Sequence, residues 1–251
     1  MKSGRVPSVG WSFSSDRGQS TLVGALLLLG ILMVALASYQ LAVVPEQNAA
    51  VEHAHHQGVQ SDLHRLRAAM LTTQTTDSHR SAVLDMGTGY PARIVGINPP
   101  PSSGTLRTSQ PSVPIDVDNA AVARGTFVGD TDELFFPQQT RFLSYTPDYA
   151  EYTQAPSTHF EHGLLYHRAG NATAGLSPDG VFAGSQIRLT VLTGNLSIST
   201  VRSVSIDPTI VSGPTAPVPI ESDGAGPITI TLPTDARHSG ATDSVAPTMR
   251  V

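Results

Sequence analysis

Arg17-Gly18-Gln19-Ser20-Thr21-Leu22-Val23-Gly24-Ala25-Leu26-Leu27-Leu28-Leu29-Gly30-Ile31-Leu32-Met33-Val34 runs on through Ala35-Leu36-Ala37 to Val44, and no charged side chain stands between Gln19 and Val44. The 23 residues from Leu22 to Val44 are nearly all Leu, Val, Ile, Ala, Gly or Met. As a helix they extend roughly 34 Å, enough for a bilayer core of about 30 Å. A helix is also the open-ended element that satisfies its own backbone hydrogen bonds in lipid. Residues 19–44 therefore read as a transmembrane helix, with the lipid bilayer as first partner.

The flanks orient it. Lys2, Arg5 and Arg17 precede the apolar run against Asp16 alone. Cationic flanks stay cytoplasmic, which places the N-terminus inside and residues 45–251 outside. Three fates of the N-terminus remain open. A short basic leader ends in Arg17-Gly18 directly before Gln19-Ser20-Thr21-Leu22. This junction resembles the class III leader of archaeal type IV pilins. The resemblance implies a prepilin-type peptidase that cuts after Gly18 and leaves Gln19 as the mature N-terminus with the helix attached. Val23 stands where bacterial pilins carry a Glu, which points to the archaeal relatives. The second reading is a secretory signal with Leu22–Val34 as its apolar region and Ala35-Leu36-Ala37 as its cleavage site. The third is an uncut anchor.

Composition agrees with export. The chain has no Cys, which excludes disulfides, thiolate metal sites and a lipidated-cysteine anchor. Its net charge is −5; a cut after Gly18 removes a net +2 and leaves −7. An acidic exterior with no basic patch excludes nucleic acid as a partner. Charged residues are only 14% of the chain, below the roughly 25% of ordinary soluble domains. Asn171-Ala172-Thr173 and Asn195-Leu196-Ser197 are glycan acceptors if they face outside.

Beyond Val44 the pattern turns amphipathic. Val59, Leu63, Leu66 and Met70 recur at spacings of four, three and four, one stripe of a helix. Asp62, His64, Arg65 and Arg67 are placed on its other sides. Pro45 is expected to kink this helix or to open a new one, and Gly58 to weaken it. An apolar helix continuing into an amphipathic one has the shape of a type IV pilin stalk, which packs under a β-domain. From about Ser81 the period becomes two. Val113, Ile115 and Val117 alternate with polar residues, as do Ile187, Leu189 and Val191, then Leu196 and Ile198 beyond the turn Thr193-Gly194-Asn195, then Ile228, Ile230 and Leu232. Half-buried strands broken by Gly, Pro and Asn indicate an antiparallel, sandwich-like sheet. Pro99–Gly104 and 212–219 read as loops, and the tail from Thr234 shows no period.

The expected fold class is thus α+β. Residues 1–18 form a leader, 19–44 a transmembrane helix, 45–80 an amphipathic stalk helix, 81–233 an extracellular antiparallel β-sandwich-like domain, and 234–251 a disordered tail.

Chemistry is sparse. His53, His55, His56 and His64 crowd the stalk, and Glu52 lies one turn before His56, so a cation site comes into view. The spacing matches no known ligand pattern, and a solvated polar face explains it as well. Thr131-Asp132-Glu133-Leu134-Phe135-Phe136 lacks the alternating ligands of a calcium loop. There is no G-x-S-x-G elbow, phosphate loop or dinucleotide fingerprint. We therefore expect no catalytic residue, no metal and no cofactor, and the only sites are the processing residues Arg17, Gly18 and Gln19 and the glycosylation candidates Asn171 and Asn195.

Tyr145-Thr146-Pro147-Asp148-Tyr149-Ala150-Glu151-Tyr152, with Ala155-Pro156 and Phe160–Tyr166, is the most distinctive stretch of the expected ectodomain. It is similar to a block in uncharacterised haloarchaeal surface proteins that begin with pilin-like helices, and the similarity runs from Arg17 to about Leu232. Buried tyrosines bridging strands to loops are expected there rather than an exposed patch. The implied function is structural: a pilin-like, single-pass cell-surface protein that self-assembles or joins other pilin-like subunits through Leu26–Val34. The alternative is a monomeric anchored module binding a glycan, ion or protein.

Overall fold

The computed structural model describes residues 16–76, 80–123, 131, 139–178, 181–183, 186–211, 217–235 and 248–250. The chain divides into two compact units, Met1–Gln47 with Ala92–Asn98, and Asn48–Pro91 with Pro99–Val251.

In the first unit, α1 spans Asp16–Ser38, a π-helical turn covers Tyr39–Val43, and α2 (Val44–Thr76) begins. The Val44 N–H bonds to the Tyr39 carbonyl, five residues back. The wide turn stands just ahead of Pro45, whose ring crowds the carbonyl four residues earlier and whose N–H is missing. The helix thus accommodates Pro45 by widening rather than by stopping. The large aliphatic side chains from Leu22 to Val34 are between 50% and 70% exposed. Among the described residues this is the one helix long and apolar enough to cross a membrane.

In the second unit α2 runs through Gly58 without a break. The packing of the neighbouring stripe outweighs the ~1 kcal/mol a glycine costs a helix. Val59, Leu63, Leu66 and Met70 are all buried in the main core. Asp62 departs from expectation: it is buried too, its carboxylate accepting the Asp85 N–H at 3.0 Å and pairing with Arg65.

Fifteen strands are described. They are β1 Ala82–Asp85, β2 Ser103–Ser109, β3 Asp116–Asp118, β4 Ala120–Val122 and β5 Phe142–Asp148. Then come β6 Ser157–Glu161, β7 Leu164–Ala169, β8 Ala172–Gly175, β9 Phe182–Ala183 and β10 Gln186–Ile187. The last are β11 Ser197–Thr200, β12 Ser203–Ile206, β13 Ile220–Ser222, β14 Thr229–Thr231 and β15 Thr248–Arg250. The main sheet has the order β11-β2-β5-β6-β7-β8. Smaller sheets pair β1 with β12, β9 with β10, β4 with β13, and β14 with both β3 and β15. Every described pairing is antiparallel.

Register explains the core. Leu106 faces Tyr145 across β2 and β5, Leu143 faces Phe160, and Phe160 faces Leu165. Residues directly opposite share a sheet face, so these form one apolar surface, and the α2 stripe packs in the same cluster. The strand-rich antiparallel domain is as expected, and the main sheet shares its core cluster with the α2 stripe and with Ala82, Leu84 and Met86 in and beside β1, whose partner β12 adds Val204 and Ile206. Each element buries its apolar face against the others.

The opposite face of the main sheet is covered as well. The Phe142 ring meets the edge of His162, and His162 Nε2–H donates to the Pro233 carbonyl at 2.7 Å. Glu161 accepts hydrogen bonds from the hydroxyls of Tyr166 and Thr234 and from the Asp235 N–H. Hence β5 is buried on both faces from Phe142 to Tyr145, not half-buried. The β6–β7 hairpin turns on His162 and Gly163, with φ of 50° and 94°; two positive φ values are what a tight hairpin requires.

Other expectations shift in detail. Ser103 and Gly104 open β2 rather than lie in a loop, because they pair with Asp148 and Pro147. Of Ile187–Val191 only Ile187 joins a strand. Farther on, the backbone is claimed by irregular bonds, with Leu192 accepting from Arg141 N–H and donating to Thr140 Oγ1. Within the expected tail, Thr248–Arg250 lies beside β14.

Candidate functional site

The stripe on α2 does not start at Val59. Asn48, Glu52 and His56 precede it at spacings of four, four and three, so they share the buried face, and all three are buried. A carboxylate there must find donors or lose its charge. Glu52 is fully buried and finds five. Its Oε1 accepts from the Ala150 N–H at 2.9 Å, from Ser102 Oγ–H at 3.2 Å and from the Tyr90 hydroxyl. Its Oε2 accepts from the N–H groups of Glu151 at 3.0 Å and Tyr152 at 2.6 Å. Three consecutive amides of the loop after β5 thus close around one side chain of α2.

Burial alone would raise the Glu52 pKa. The Tyr90 hydroxyl and the three amides outweigh it and hold the carboxyl below its ordinary value. The Tyr90 phenol is pushed up to about 12, first by burial and then by its bond to Glu52. A carboxylate offers about four lone-pair positions, so this one is saturated. Its lone pairs are taken up by donors inside the fold.

Beside it lies a ring cluster. His53, exposed, packs on Tyr152 with centroids 3.8 Å apart. His55 Nε2–H donates to the Asp85 carbonyl at 3.1 Å, which leaves Nδ1 to accept the Tyr149 O–H at 2.7 Å. This fixes the neutral tautomer, since the carbonyl can only accept. His56 sits edge-on to Tyr149 and Tyr152 and stacks on His167 at 5.4 Å. It is 4% exposed, and neither ring nitrogen has a hydrogen-bond partner. Burial, then repulsion from His167, His55 and His53, lowers its pKa to about 4. Burial likewise lowers His55 and His167. His55, His56 and His167 are therefore held toward the neutral form, and they pack and order the loop. Tyr145, pushed up to about 12 by burial, donates to the Met86 carbonyl at 3.0 Å. The tyrosines of the distinctive block bridge elements from inside the domain, as expected.

The other singled-out residues stay apart from this cluster. Arg17, Gly18 and Gln19 lie in the first turn of α1. His64 is exposed, and so are Asn171, in the turn between β7 and β8, and Asn195. Of the acidic-aromatic stretch only Thr131 is described; Asp132–Phe136 lie outside the described residues. Among the described residues no group of three or more His, Asp or Glu side chains is arranged to hold a metal ion. Sequence reasoning weighed Glu52 and His56 as cation ligands or as part of a solvated polar face, and both are instead buried. The signal it missed was their position on the apolar stripe, which marks polar residues with partners inside the fold.

No family model matches the chain, and no solved structure matches it. An uncharacterised protein of Archaeoglobus fulgidus is 27% identical over 199 residues, which is 76% of this chain and 32% of that protein. The chain thus spans about a third of the length of this relative.

Proposed function

We propose that the protein is a non-enzymatic, pilin-like cell-surface protein, anchored by α1 with the strand-rich domain outside, and a subunit of a filament or envelope complex. One observation carries the reading: the helical stretch is divided in how it uses its apolar residues. From Leu22 to Val34 they are left uncovered, while from Val59 to Met70 they are sunk in the domain core. Uncovered apolar area of that size is unfavourable in water and belongs in lipid or against other helices. Support for the pilin-like form comes from the basic leader meeting the helix at Arg17-Gly18. The likeness to an archaeal protein supports the archaeal setting. The saturated Glu52 and the buried His56, held neutral, favour a structural role over a catalytic one.

N-terminal mass spectrometry and fractionation of native protein test it. A mature chain beginning at Gln19, in sheared filaments or a membrane complex, is the expected result. A chain beginning at Ser38 and free of the membrane would refute the anchor. Retention as a monomer would favour the binding-module alternative. External protease should digest the domain on intact cells; protection until lysis would reverse the orientation.

A further inference from the structure

The segment Ala92-Arg93-Ile94-Val95-Gly96-Ile97-Asn98 is grouped with the apolar helix. It exposes three large aliphatic side chains: Ile94 completely, Ile97 at 80% and Val95 at 50%. In water these side chains leave burial free energy unused. Yet the backbone behind them is held firmly. The Gln40 amide donates to the Ile97 carbonyl at 2.8 Å and accepts the Ile97 N–H at 2.9 Å. Arg93 donates from Nε to Asn98 Oδ1 at 2.7 Å, and from Nη1 to the Tyr39 hydroxyl at 3.3 Å and to Gln47. Gly96 has a φ of 106°, and a Cβ there would run into the Gln40 side chain. The loop is therefore clamped to the π-helical turn and the start of α2 with its aliphatic side chains turned outward.

Depth decides what those side chains meet. Gln40 lies 18 residues beyond Leu22, roughly 27 Å along a helix, close to the far boundary of a 30 Å hydrocarbon core. Leu41, on the next residue, is 79% exposed. At such depth irregular backbone is tolerated only when its polar groups are satisfied, and Gln40 satisfies both of those on Ile97. Tyr39 and Arg93 are residue types that settle at the headgroup level. We infer that the Ala92–Asn98 loop is a second membrane contact, inserting Ile94, Val95 and Ile97 into the headgroup–acyl boundary of the bilayer that α1 crosses. This rests on the anchor reading. It gives Gln40, a polar residue in an apolar run, a role: it clamps the loop at the depth where lipid begins.

The absence of Cys allows single-site labelling. The full chain carrying Ile94→Cys, Leu27→Cys or Val201→Cys is labelled with an environment-sensitive fluorophore. It is then reconstituted in phosphatidylcholine vesicles with and without brominated acyl chains. The inference expects blue-shifted emission and loss of fluorescence to brominated lipid at 94 and at 27, and neither at 201. Adding Gln40→Leu to Ile94→Cys removes both clamp bonds; quenching at 94 should fall toward the level at 201 while quenching at 27 persists. Quenching at 27 with position 94 behaving like 201 overturns the loop inference and leaves the anchor standing. No quenching at 27 refutes the anchor, and the inference with it. Unchanged quenching at 94 in the Gln40→Leu chain overturns the clamp.

Discussion

Replacing Glu52 by Gln tests whether a single carboxylate holds the loop Ala150–Tyr152 to α2. The amide can place its NH2 group on the Tyr90 and Ser102 side, where two hydroxyls can rotate to accept. Its oxygen then keeps the N–H groups of Glu151 and Tyr152, and the Ala150 N–H loses its acceptor. An orphaned buried donor costs about 1–3 kcal/mol, and each bond that loses its charge assistance gives up about 1 kcal/mol more. With two such bonds, from Glu151 and Tyr152, the sum is about 3–5 kcal/mol. The opposite placement sets NH2 against two N–H donors and costs more, so this is the smaller of the two penalties. Glu52→Ala strips all three amides of their acceptor and should cost more than 4 kcal/mol. Urea unfolding of the full chain in detergent micelles, followed by circular dichroism, resolves such differences against a typical total of 5–15 kcal/mol. The pH dependence has a definite sign. Because the folded-state pKa of Glu52 lies below 4.5, its stabilisation is fully present above pH 4.5 and is lost as pH falls through the folded value. The gap between wild type and Glu52→Gln should therefore narrow below pH 4.5. A Gln variant within 1 kcal/mol of wild type at pH 7, or a gap that stays constant into acid, would refute the reasoning.

The buried histidines set a second acid dependence. The pKa of His56 is about 4 in the fold against an ordinary 6.5, so the unfolded chain binds the proton first, and stability falls as pH drops from 6.5 to 4. His56→Phe should reduce the loss between pH 7 and pH 5 by about 2 kcal/mol, read from the same urea curves; an unaltered slope would count against a neutral buried ring. Leu63→Asp puts a carboxylate into the core cluster and should destabilise the domain by at least about 4 kcal/mol; a wild-type melting curve would mean that α2 does not pack on the sheet. Leu27→Asp should leave the domain melting as in wild type but weaken membrane insertion by about 2.5–3.5 kcal/mol, visible as a shift to the soluble fraction; normal fractionation would make the apolar run dispensable.

Local periodicity carried much of the fold. The uncharged run and the four-residue stripe are properties of consecutive side chains, and both appear as a helix with the expected exposed and buried faces. Alternation placed Ile115, Val117, Leu196, Ile198 and Ile230 in or beside strands for the same reason. It failed at Leu189–Val191, which join no strand and are followed by Leu192 bonded to Thr140 and Arg141, and it did not show that the α2 stripe and β1 enter the cluster of the main sheet. Period tells which face of an element is apolar, but not what covers it.

The sequence by itself determined the elements whose cause is local: a helix long and apolar enough to span a bilayer, an amphipathic continuation, and short strands of half-apolar pattern. Only the tertiary structure decided the polar pairings. Glu52 meets Tyr90, Ser102 and Ala150–Tyr152 across separations of 38 to 100 residues, and Gln40 meets Ile97 across 57. Burying an apolar side chain requires only that some surface cover it, so pattern is enough. A buried hydrogen bond requires a particular donor within about 3 Å at the right angle, and chain closure over such distances fixes which donor arrives.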